Sequence, residues 1–105
     1  MSALELKVQL EESRRVLDLA NLNHRLENSK EFREVIYQNL FIDKSLDLVS
    51  QLALFSQTST EYQSILRELD AISYLRNYLT QLNLAGAEAQ VSIIDAQSIL
   101  NGNED

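Results

Sequence analysis

Cysteine, proline and tryptophan are absent from this 105-residue chain, and glycine occurs only at positions 86 and 102. Without cysteine there can be no disulfide, no thiolate metal site and no cysteine nucleophile. Sheets and long structured loops depend on turn residues that this chain almost lacks. Phosphate-cradling loops and dinucleotide fingerprints need several glycines at fixed offsets, and two cannot supply them. His24 is the only histidine, so no ordinary zinc or iron ligand set can be assembled, and EF-hand spacing is missing too. His24 therefore reads as a hydrogen-bonding or solvent position. The carboxylate pairs Glu11–Glu12 and Glu27–Glu31 fall on faces that look solvated, whereas acid–base catalysis needs buried, tuned acids. No catalytic, cofactor-binding or metal site is expected, and the protein reads as a non-enzyme.

Two further scarcities bear on partners. No apolar run reaches about 18 residues, so no membrane-spanning helix is expected. The opening residues, MSALELKVQLEESRR, carry acids and no uninterrupted apolar core, unlike a secretory signal. Bases are outnumbered, 9 against 16 acids, for a net charge of −7. A basic stripe for phosphate backbones is missing, so nucleic acid is not an expected partner. The acids are dispersed, which suits a solvated surface better than a mimic of duplex DNA.

What is abundant is helical apolar periodicity: hydrophobic residues make up 45% of the chain, ordinary for a folded domain. In the stretch TEYQSILRELDAISYLRNYLTQLNL, Ile65, Leu69, Ile72, Leu75, Leu79 and Leu82 recur at spacings of three and four. That rhythm places them on one helical stripe, which Tyr62 and Leu66 widen. Such a helix needs something to pack against. A first helix is predicted over Ala3–Glu27, with Leu6, Leu10, Val16, Leu17, Ala20 and Leu26 on its apolar side. Glu11–Arg15 and Arg14–Asp18 form i,i+4 pairs on the other side. Leu4, Leu6 and Val8, ahead of that charged patch, can reach toward a neighbouring subunit.

Asn28 with Glu31 has the form of a capping box, with Ser29 as the alternative cap. A short helix burying Phe32, Val35 and Ile36 should then stop near Asn39, followed by a hydrophobic hinge at Leu40–Ile42. Asp43 would cap a third helix burying Leu46, Val49, Leu52 and Ala53. Thr58, within the loop SQTST, makes a second capping box with Glu61 at the head of the long helix, and that loop reads as mobile. Gly86 either ends the long helix at a C-cap or sits inside a continuing helix where another backbone comes close. The helix-forming sequence that follows, without a stop before Asn101, favours continuation. The fold expected is all-α: a small helical bundle of two long helices and two short ones. It forms a single domain over residues 1–100, with a frayed acidic tail over 101–105.

From Asn77 to Asn103 the only charged residues are Glu88 and Asp95, and interface cores are depleted in charge. Ile93 and Ile94 are adjacent, so one facing stripe can hardly bury both. Val91, Ile93, Ile94 and Ile99 are therefore candidate interface residues. Tyr74 and Tyr78, four apart with Arg76 between them, join them as aromatic anchors.

The segments ENSKEFREVI, LDLVSQLA, LRELDAISYLRNYL and AGAEAQ give the chain a resemblance to a group of small all-helical virion or assembly proteins of tailed bacteriophages. Asn28, Phe32 and Ile36 match its first helical motif, and Leu48, Val49, Leu52 and Ala53 its second. Ile65, Leu69, Ala71, Ile72, Leu75, Arg76, Tyr78, Leu79 and Gly86 match the long helix. The resemblance spans about residues 15–95 and departs from the pattern at Ser29–Glu31 and in the charge-poor last quarter, where Gln, Ser and Asn stand in place of charged residues. It implies a phage structural or assembly protein working through homo-oligomeric and protein–protein contacts, with itself and other phage proteins as partners. Its location would be the virion or the host cytoplasm. The alternative is a small acidic phage effector that binds and inhibits a host protein.

Overall fold

The computed structural model describes residues 2–102, and the final acids of the expected tail lie outside them. Among the described residues there is no strand, and the protein is all-α. Four helical elements follow one another: α1 (Ala3–Glu27), α2, a π-helix (Phe32–Lys44), α3 (Ser45–Leu52) and α4 (Thr60–Gly102). The chain groups into two compact units that share α4. One unit takes α1 as far as Arg25 with α4 from Thr80 onward, and the other spans Leu26–Leu79.

The two main links are closed by the same serine device. The Ser29 hydroxyl donates to the carbonyl of Leu26 at 2.7 Å and accepts the N–H of Phe32 at 3.1 Å. The Ser59 hydroxyl donates to the carbonyl of Ser56 at 2.6 Å and accepts the N–H of Tyr62 at 3.1 Å. Each serine satisfies an orphan donor at a helix start while tying down the turn before it. Ser59 thus replaces the expected Thr58–Glu61 box, and Thr58 instead pairs its hydroxyl with that of Ser56 at 3.2 Å. With its carbonyl at Gln57 also accepting from Gln63 Nε2 at 2.9 Å, this turn is hydrogen-bonded along its length. Ser2 caps α1 by accepting the N–H of Glu5 at 3.1 Å.

In the unit formed by α1 and the second part of α4, the two helices run antiparallel. Leu6 and Leu10 cluster with Ala96, joined by Ile93 and Leu100, while near the other end Asn23 Nδ2 donates to Asn83 Oδ1 at 3.0 Å. Between them Gly86 faces Ala20. A Cβ built on Gly86 would lie 2.3 Å from the Ala20 Cβ, closer than carbon atoms can approach. Gly86 has no positive φ, so the reason for glycine here is close approach, and the helix runs on through it. Of the residues expected on the apolar side of α1, Leu6, Leu10 and Ala20 are buried, but Val16 and Leu26 are exposed. Leu26 is six residues from Ala20, about 120° round the helix from it.

The unit spanning Leu26–Leu79 departs furthest from expectation. There is no stop at Asn39 and no hinge at Leu40–Ile42, because α2 carries the chain helically into α3. A π-helix bonds i to i+5, and side chains follow the same interval. Asn39 Nδ2 donates to the Glu34 carbonyl at 2.9 Å, and Gln38 Nε2 to Asp43 Oδ1 at 3.0 Å. The wider turn aligns Phe32 with Phe41, both buried, which meet edge to face with centroids 6.4 Å apart. In an α-helix, residues nine apart would lie about 180° apart, on opposite faces.

The same phase change relocates the core of α3. Leu48, at 1% exposure, is the most deeply buried side chain, whereas Val49 is 54% exposed and Leu46 is exposed as well. Phe41, Ser45, Leu48 and Leu52 follow at four, three and four, so the inward face of α3 continues from Phe41. Val49 is therefore not a core residue. Val35 is exposed for a related reason: three residues after Phe32, it shares a face with it at the α period but is carried off that face by the wider π turn. Along α4, Ile65 and Leu79 are buried and Leu69, Ile72 and Leu75 half-buried, as are Ile36 and Leu52, while Leu82 falls in the other unit.

Candidate protein interaction surface

The feature that asks for explanation is apolar surface left in water. In the α1–α4 unit, the back of α4 carries Thr80, Leu84, Ala87, Val91, Ile94 and Ser98 at spacings of four, three, four, three and four. That is a seam of coiled-coil rhythm over nearly three heptads. Leu84 at 54%, Val91 at 59% and Ile94 at 58% are all exposed. No charged side chain stands on the seam itself; Glu88 and Asp95 lie to one side. A solvated helix face ordinarily carries charge, and the cores of interfaces do not.

The structure sorts the expected interface residues. Val91 and Ile94 belong to the exposed seam. Ile93 does not, since it is half-buried against the Leu6–Leu10–Ala96 cluster and serves the core of its own chain. Adjacent residues point about 100° apart, and here one isoleucine goes in and the other stays out. Ile99 is exposed, but five residues beyond Ile94 it sits about 140° round the helix. There it edges a groove with Leu6, Gln9, Ser92, Asp95 and Ala96. Leu84 belongs to the seam and its signal, the unbroken heptad from Thr80, was present in the sequence.

Tyr74 and Tyr78 lie in the other unit, both exposed, Tyr74 at 76%. Arg76 is not grouped with them. Its guanidinium lies over the Phe41 ring, 5.9 Å from the centroid, and Tyr37 packs edge-on against the same ring at 6.4 Å. Arg76 thus acts inside this unit as a cation–π clamp on α2.

Among the described residues no group of three or more His, Asp or Glu side chains is placed to hold a metal ion. No helix among them is long and apolar enough to cross a membrane. Lys30 and Glu34 form an ion pair at 4.0 Å, exposed and therefore of small energetic weight. No protein family, curated protein or solved structure matches the chain.

Proposed function

We propose that this protein is a non-catalytic assembly protein that works by repeating a helix-mediated contact between its own copies. The observation that carries the reading is the charge-free heptad seam of Leu84, Val91 and Ile94 on the open face of α4. Burying such a seam against a second helix removes apolar area from water at about 25 cal/mol per Å². The resemblance to virion and assembly proteins of tailed bacteriophages supports a phage setting, in the virion or the infected cytoplasm, with other phage proteins as further partners. The net charge of −7 favours one competing reading, an acidic effector that binds a host protein.

The test uses neighbours that face opposite ways. Ile94→Glu places a charge in the seam and should abolish the contact through α4, lowering the mass in solution with helicity retained. Ile93→Glu places the charge in the core of the unit and should lower the melting temperature sharply, because an unpaired buried charge is costly. Light scattering with circular dichroism reads both. A wild-type protein that is monomeric at high micromolar concentration ends the reading.

A further inference from the structure

The outer face of α1 carries a pattern that reads alike in both directions. Leu4, Val8, Glu11, Arg15, Leu19 and Leu22 follow at spacings of four, three, four, four and three. They share one side of the helix, turned away from the side of Leu6, Leu10 and Ala20. All six are exposed, Leu4 by 72% and Leu22 by 53%. The order is two apolar residues, an acid, a base, two apolar residues. Reversed about Ser13, Leu4 falls on Leu22 and Glu11 on Arg15, while Val8 falls within one residue of Leu19, so the order is kept with the charges exchanged.

We propose that this face binds the same face of a second copy, antiparallel, about a two-fold axis level with Ser13. A two-fold contact uses one patch twice, so the patch must be complementary to itself. In the antiparallel register Leu4 meets the partner's Leu22, Val8 the partner's Leu19, and Glu11 the partner's Arg15, each pairing occurring twice. A parallel pairing would set Glu11 against the partner's Glu11 and Arg15 against the partner's Arg15, and like charges at a seam are repulsive. Polar residues inside an otherwise apolar seam are a known means of fixing register and direction. The inference extends the self-assembly reading to a second face, but it does not depend on the α4 seam.

Orientation can be read by cross-linking, because the native chain has no cysteine. Leu4 and Leu22 are 18 residues apart, about 27 Å along the helix, while a disulfide needs Cα atoms within about 7 Å. Leu4→Cys and Leu22→Cys alter exposed positions, and circular dichroism checks that each variant keeps its helicity. Under mild oxidation the mixture of the two should give a disulfide dimer that neither variant gives alone. Cross-linking of either variant alone at the level of the mixture overturns the antiparallel register. Cross-linking in none of the samples overturns self-pairing of this face and leaves it to a different protein. Repeating the set in the Ile94→Glu background separates the two proposals, since loss of the α4 seam should leave this cross-link intact. Glu11→Arg should weaken the pairing roughly tenfold, and Glu11→Arg with Arg15→Glu should restore it. Unchanged pairing in Glu11→Arg removes the role given to the charges.

Discussion

At the scale of single residues, the sharpest demand falls on Gly86. Replacing a glycine inside a helix by alanine ordinarily gains up to about 1 kcal/mol. Here the new methyl would lie 2.3 Å from the Ala20 Cβ, and neither alanine has a rotamer through which to yield. Overpacking of this kind costs about 1–3 kcal/mol, which outweighs the propensity gain. Gly86→Ala is therefore expected to lower the melting temperature, and adding Ala20→Gly to recover much of the loss. Gly102, with nothing within 4 Å of its built Cβ, supplies the control and should accept alanine without penalty. A second contrast lies in α3. Leu48→Ala empties a fully buried site and should cost about 2–4 kcal/mol, whereas Val49→Ala at an exposed site should stay within about 0.5 kcal/mol. Equal losses in chemical denaturation would mean that the phase assigned to α3 is wrong.

At the scale of elements, α2 makes a claim that thermodynamics can check. Phe32 and Phe41 touch only because the helix between them is wound as a π-helix. Aromatic pairs contribute about 0.5–1.5 kcal/mol beyond their buried area, so a double-mutant cycle on Phe32→Leu and Phe41→Leu should return a coupling of that size. An ordinary α-helix would separate the rings and return none. This element also marks where sequence reading stopped. Long elements were legible: Ala3–Glu27 agrees with α1, and the helix through Gly86 continues as its composition suggested. Their apolar residues repeat at the α period over many turns, so phase errors average out. The π-helix was not legible, because the test of amphipathicity presumes about 100° per residue, and Phe32 and Phe41 then fall on opposite faces. Its spacing of four and five, Phe32–Ile36–Phe41, was visible but has no meaning at the α period. Val35 and Val49 were misplaced by that one change of phase. The candidate surface was half legible: scarcity of charge located the segment, but only the packing of Ile93 against the cluster of Leu6, Leu10 and Ala96 tells the inward isoleucine from the outward one.

At the scale of the whole molecule, net charge separates the two functional readings through their opposite response to salt. Each copy carries −7, so bringing copies together is opposed by mutual repulsion. The seam of Leu84, Val91 and Ile94 is uncharged, and its attraction comes from removing apolar surface from water. Salt shortens the range of charge interactions from about 30 Å at 0.01 M to about 3 Å at 1 M. It therefore weakens the repulsion and leaves the apolar attraction standing. Self-association through α4 is expected to strengthen, or at least to hold, as salt rises across that range. The Glu11–Arg15 pairings proposed for α1 should respond in the opposite sense, because screening weakens attraction between unlike charges as well. In the Ile94→Glu background, where only the α1 contact remains, the mass measured by sedimentation should fall with added salt. An acidic effector held to a basic host surface would also loosen with salt, but it would show no self-association in either background. Calorimetry adds an independent sign, since burial of apolar area gives a negative heat-capacity change. Wild-type self-association that weakens steadily with salt would mean that charge holds the copies together, and the uncharged seam of α4 would then not be the contact.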